Sequence, residues 1–168
     1  MYTMLNRLLP KQIDNNYRGS WLALWIYTPV VLMKLVMGFN VAGLNPWVSN
    51  LGILKDVDGV PLDSYGADAG AMVLLSFASW GLGLFILSLL GVLVLARYRS
   101  MIPLMFVLLT MEQIGRKGLS MLYPIARVGG DHLSTGAIVN WVLSAAVLVG
   151  LVLSLQTRSA QTHASTPG

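Results

Sequence analysis

Long apolar runs separated by short polar stretches set the pattern of this chain. Trp21 to Val41 is apolar apart from Lys34, with Pro29 inside it, while Ala71 to Ala96 and Gly136 to Gln156 carry no charge at all. Crossing a hydrocarbon layer of ~30 Å takes about 20 helical residues, so each run is long enough to span a membrane as a helix. A further run, Met101 to Tyr123, is apolar only in its first half, MIPLMFVLLTM. Its second half opens EQIGRKG and brings Glu112, Arg116 and Lys117 into or near the lipid. Pro103 suits a helix start and Pro124 marks an end, so this run is read as a fourth span. The alternative is a re-entrant or interfacial helix, which leaves three true spans.

The fold class expected is therefore all-α and integral to the membrane: a four-helix transmembrane bundle in one domain over residues 1–168. Its spans lie at about 21–41, 71–96, 101–123 and 136–156, with an outer loop at 42–70 and a disordered tail at 159–168. Met1 to Leu9 is expected to form a short amphipathic helix on the inner leaflet. Small residues set the expected packing, Ser79 and Gly83 on the second span and Ala146, Gly150 and Ser154 on the last, because small-xxx-small runs let helix backbones approach closely in lipid.

Composition agrees. Of 168 residues, 55% are hydrophobic and 11% charged, against about a quarter charged in a soluble domain. Too few charges remain to cover a water-facing surface. The net charge of +4 does not point to nucleic acid, because the basic residues sit at the ends of apolar runs rather than in a stripe with interleaved aromatics. Their placement reads as topology. Arg7, Lys11 and Arg18 precede the first span, Arg97 and Arg99 lie between the second and third, and Arg158 follows the last. The opposite loops hold Lys55 and Arg127 among Asp56, Asp58, Asp63, Asp68 and Asp131. This bias places both termini in the cytoplasm, whereas three spans would put the C-terminal tail on the other face. Tyr17, Trp21 and Trp25 at one boundary and Trp47, Tyr123 and Trp141 at the other fit aromatic belts.

Residues 1–20 lack the apolar core of a secretory signal, so targeting is expected to fall to the first span, and no lipidation motif is evident. The absence of cysteine excludes disulfides, thiolate metal sites and cysteine nucleophiles.

The ionisable residues inside the spans carry the candidate chemistry. At ~1.5 Å per residue, Lys34 lies about 20 Å from the cytoplasmic edge at Trp21, Glu112 about 17 Å from Met101, and Arg116 about 23 Å. Each unpaired charge near the bilayer centre costs at least ~2.5–3.5 kcal/mol, so Lys34 and Glu112 are expected to pair, with Arg116 joining at i,i+4 spacing. Asn140 and Ser144, with Ser76 and Ser79, fall at similar depth. A polar pocket opening outward is expected, with Asn40 and Lys117 at its mouth. Against this stands a bland reading: Lys34–Glu112 fixes helix register, Arg116 and Lys117 snorkel to the interface, and Ser and Asn satisfy neighbouring backbone. Arg97 and Arg99 read as lipid-headgroup contacts and a stop-transfer signal.

Asp56-x-Asp58-Gly59 resembles part of a calcium loop but lacks the further ligands of an EF-hand, so Asp58-Gly59 reads as a turn. His132 and His163 lie outside the spans, which leaves intramembrane haem unsupported. No hydrolase, zinc-protease, phosphate-loop or dinucleotide motif occurs. No metal and no cofactor are expected.

The layout, with a longer first outer loop and charges in the third helix, is similar to the outline of the DoxX-like group, and no property of that group is carried over. Small multidrug transporters also have four helices and a membrane glutamate, but theirs belongs to the first helix, unlike Glu112. The reading is a multi-pass protein of a bacterial inner or plasma membrane, non-enzymatic, an accessory or binding protein in a homo-oligomer or larger membrane complex. A proton- or ion-coupled transporter using Glu112 and a lipid-modifying enzyme are the alternatives.

Overall fold

A computed structural model describes residues 8–10, 12–124 and 135–156. They are helical, with no strand among the described residues. Four long helices carry the fold: α1 (Trp21–Val41), α2 (Ala67–Arg97), α3 (Ile102–Leu122) and α4 (Thr135–Leu155). Among the described residues three of them, α1, α2 and α4, are long and apolar enough to cross a membrane. The helix expected over Met1 to Leu9 falls mostly outside the described residues. Lys11, Arg127, Asp131, His132, Arg158, His163 and the tail lie wholly outside them.

Helix α1 is central. It packs along both α2 and α4, and α4 packs along α3, while α3 touches α1 and α2 only lightly. The core holds Ala23, Tyr27 and Val31 of α1, Val94 of α2, Phe106 and Leu109 of α3, and Leu143 and Val147 of α4. Tyr27 brings its hydroxyl within the apolar interior and donates it to the Gly91 carbonyl at 3.1 Å, while its ring meets Phe106 edge-on at 5.2 Å. Large apolar side chains also face outward on every long helix, among them Trp25, Val36, Leu75, Ile86, Met111, Ile114, Val142 and Val152. Monomeric soluble proteins rarely carry apolar surface on that scale; lipid is the solvent that explains it.

The α1–α2 seam is made by glycines, though not those of the Ser79–Gly83 pair, which is exposed. Gly38 of α1 lies against the Phe85 backbone, Gly81 against the Ala42 backbone, and Gly91 against Val31 and Tyr27. A side chain at either of the first two would meet main chain, so the close approach requires glycine there. On α4, Gly150 and Ser154 are buried and Ala146 half-buried, with Gly150 receiving the Phe106 ring.

Helix ends follow local chemistry. At the end of α1, Gly43 adopts φ +72°, its N–H reaches the Asn40 carbonyl at 3.0 Å, and the Leu44 N–H reaches Phe39 at 3.2 Å. This is the paired C-terminal cap that a glycine in the left-handed region permits. Helix α2 begins at Ala67, earlier than the apolar run alone suggests, because Asp68 in its first turn favours the helix dipole. Its 31 residues reach about 46 Å, beyond a ~30 Å hydrocarbon layer.

Between α1 and α2 the chain forms a helical turn at Asn50–Gly52, capped by Ser49, that runs into a π-helical turn at Ile53–Val57. Leu54, Val60 and Leu62 pack on Val73, Leu74 and Phe77 of α2. Gly59, at φ +70°, makes the turn after Asp58. At the other end of the bundle, Ser100 accepts the Asp14 N–H at 3.0 Å and returns its hydroxyl to the Asp14 carbonyl at 2.9 Å, tying the leading segment to the α2–α3 junction.

Candidate functional site

The C-terminal half of α3 carries the polar residues of the interior. Its buried stripe is Ile102, Met105, Phe106, Leu109 and Gln113, so the face that is apolar near the helix start turns polar at Gln113. Glu112 and Arg116 flank that stripe. Lys34 reaches them from α1, four residues before the Gly38 crossing, and is 1% exposed.

Lys34 Nζ donates to Glu112 Oε2 at 2.6 Å, and the Glu112 side chain is 17% exposed. Arg116 Nε stands 3.4 Å from Glu112 Oε1, an ion pair rather than an aligned hydrogen bond, and both atoms lack hydrogen-bond partners. The guanidinium spends its other donors elsewhere. Its Nη2 bonds Asn140 Oδ1 of α4 at 2.6 Å and Gln113 Oε1, and its Cζ lies 5.0 Å from the centroid of the Trp80 ring of α2. Lys34, Glu112, Arg116 and Asn140 are thus brought together, and all four long helices contribute to the cluster.

Other expected members lie elsewhere. Ser76 and Ser79 are exposed and donate to their own helix, at the carbonyls of Met72 and Leu75. Depth placed them with the cluster, but the rotation of α2 turns them away. Ser144 likewise donates to the Asn140 carbonyl at 2.7 Å. Asn40 accepts from Asn45 at 2.8 Å and ties the end of α1 to the loop. Lys117 rests on the Trp141 ring, 2.8 Å from its centroid. Two members were not anticipated, Gln113 and Trp80. A signal for Gln113 existed in its i,i+3 relation to Arg116, whereas Trp80 gave only its depth.

At the other end of the helices, Arg97 closes α2 and is exposed, while Arg99 Nε donates to the Leu95 carbonyl at 2.9 Å and satisfies the helix end. In the α1–α2 loop Lys55 pairs with Asp63 at 2.7 Å. Among the described residues no group of three or more His, Asp or Glu could hold a metal ion.

Chemically, the cluster is a carboxylate between two cations, with two amides completing the guanidinium's shell. Both flanks of Glu112 are occupied, so an incoming cation would have to displace Lys34 or Arg116. Such an arrangement holds helices more readily than it passes cargo. No family model, curated protein or solved structure matches this chain, so the functional reading rests on this chemistry alone.

Proposed function

We propose that the chain is a four-span protein of a bacterial inner membrane with both termini in the cytoplasm. In this reading it acts without catalysis, as an accessory or binding protein within a homo-oligomer or larger membrane complex, and the polar cluster holds α3 in the bundle. The observation that carries it is the Lys34–Glu112 contact at 2.6 Å with Lys34 sealed from the surroundings.

Alone in lipid, the outer half of α3 would expose Glu112, Arg116 and Lys117, each costing at least ~2.5–3.5 kcal/mol at the bilayer centre. Pairing Glu112 with Lys34 and seating Arg116 between Asn140 and Trp80 offsets much of that cost, but only when α3 is docked on its neighbours. The same pairing favours a holding role over a carrier role for Glu112. Inward-facing residues of α3 select its register, and the lipid-facing remainder is free to meet partners.

Thermal unfolding in detergent tests this through a double-replacement cycle. Lys34→Ala and Glu112→Ala each remove one partner of a buried pair and should cost about 3–5 kcal/mol. Lys34→Met with Glu112→Gln, which removes both charges, should recover most of the loss. If the singles matched the wild type, the holding role would be wrong. If Glu112→Gln abolished a measurable flux in proteoliposomes while stability stayed intact, the carrier reading would replace it.

A further inference from the structure

Beside the polar cluster, a cleft of about 120 Å³ opens between the C-terminal half of α3 and the N-terminal half of α4. Ile114, Val147 and Leu148 line it with apolar surface, and Gln113, Lys117 and Ser144 also border it. Gln113 is 2% exposed, its Oε1 is engaged by Arg116, and its Nε2 has no acceptor. The Lys117 ammonium sits on Trp141, and among the described residues no carboxylate pairs with it.

Within the spans, the cations at this end outnumber the carboxylates, although Asp56, Asp58, Asp63 and Asp68 stand in the adjoining loop and helix start. Lys34, Arg116 and Lys117 share this half of the bundle, and the carboxylate paired with the first two is that of Glu112. Where the dielectric constant is low, a cation without a carboxylate partner favours an anion nearby. Lys117 lies about 24 Å along its helix from Met101, near the level where Lys and Trp meet headgroups. An apolar cleft with a cation and an aromatic ring at its rim matches an amphiphile with an anionic head.

We propose that this cleft seats part of an acyl chain of an anionic phospholipid from the leaflet at the C-terminal end of α3, with the phosphate paired to Lys117. Trp141 keeps the ammonium at the rim. The site is independent of whether the cluster has a holding role.

Native mass spectrometry of the intact protein in a neutral detergent tests it, with phosphatidylglycerol and phosphatidylcholine of matched chains as probes. The wild type should retain phosphatidylglycerol about fivefold more strongly, the scale expected of one basic residue near a headgroup. Lys117→Gln should remove that preference, and Ser144→Phe, which fills the cleft, should lower retention of phosphatidylglycerol. Equal retention of the two lipids by the wild type overturns the proposal. So does a preference that survives Lys117→Gln, or one lost instead with Arg97→Gln and Arg99→Gln, which would place the lipid at the opposite end. The wild-type comparison needs no variant, so a poorly folding Lys117→Gln chain leaves the proposal open to refutation.

Discussion

Glu112 shows how much of this site a residue's position can reveal. Helical rise places it level with Lys34 on a helix running the same way, and the cost of a lone charge in lipid makes each seek the other. Their 2.6 Å contact has that origin. Depth says nothing about rotation, however. Ser76 and Ser79 share the depth yet bond their own carbonyls on an outer face, while Trp80, one residue along, faces Arg116. Gln113 was obscured by its charged neighbours, although it is the more buried residue. The arrangement also sharpens the expected result of a charge swap. Reversing the pair with Lys34→Glu and Glu112→Lys places a second cation beside Arg116, so recovery should be smaller than with the neutral double replacement, as thermal melts of both would show. A second residue-scale prediction concerns Tyr17, ahead of α1, whose buried hydroxyl has no partner. Burial pushes its phenol from 10.0 up to about 12. A raised folded-state pKa gives stability that is complete below pH 10 and is lost as pH rises toward 12. Tyr17→Phe should therefore leave neutral-pH stability equal or higher, and should flatten the decline between pH 10 and 12 in a pH series of melts.

Among the elements, the α1–α2 pair carries the clearest prediction. Gly38 and Gly81 face main chain on the opposite helix, so a methyl group at either forces the two backbones apart. Gly38→Ala should cost about 1–3 kcal/mol. Gly83→Ala, with no heavy atom of the rest of the fold within 4 Å of the added carbon, should stay within ~0.5 kcal/mol of the wild type. Chemical denaturation in detergent distinguishes them, and equal losses would mean the seam is not glycine-dependent. The sequence pattern favoured Ser79 and Gly83 because four-residue spacing is visible along one chain, whereas a seam is defined by its partner. On α4 the same spacing found a real partner, since Gly150 lies against Phe106. Long apolar runs made α1, α2 and α4 legible, and Pro103 marked the start of α3. The true start of α2 was hidden because Asp68 and Gly70 read as loop residues although they fit a helix's first turns.

At the scale of the whole molecule, the decisive question is what surrounds α3. Its outer half is too polar to stand in lipid alone, yet the docked helix hides Gln113 and pairs Glu112 while turning Met111, Ile114 and Leu119 outward. That division suits the proposed span supported by its neighbours, in which the end of α4 lies on the same side of the membrane as the start of α1. The cysteine-free sequence makes a direct check simple. Single cysteines placed at Ser20, ahead of α1, at Ser64, in the α1–α2 loop, and at Gln156, after α4, would be treated in intact cells with a membrane-impermeant maleimide. The account predicts labelling at position 64 alone, with positions 20 and 156 reacting only after the membrane is opened. Labelling of position 156 from outside, with position 20 still protected, would contradict it and leave α3 lying short of a full crossing.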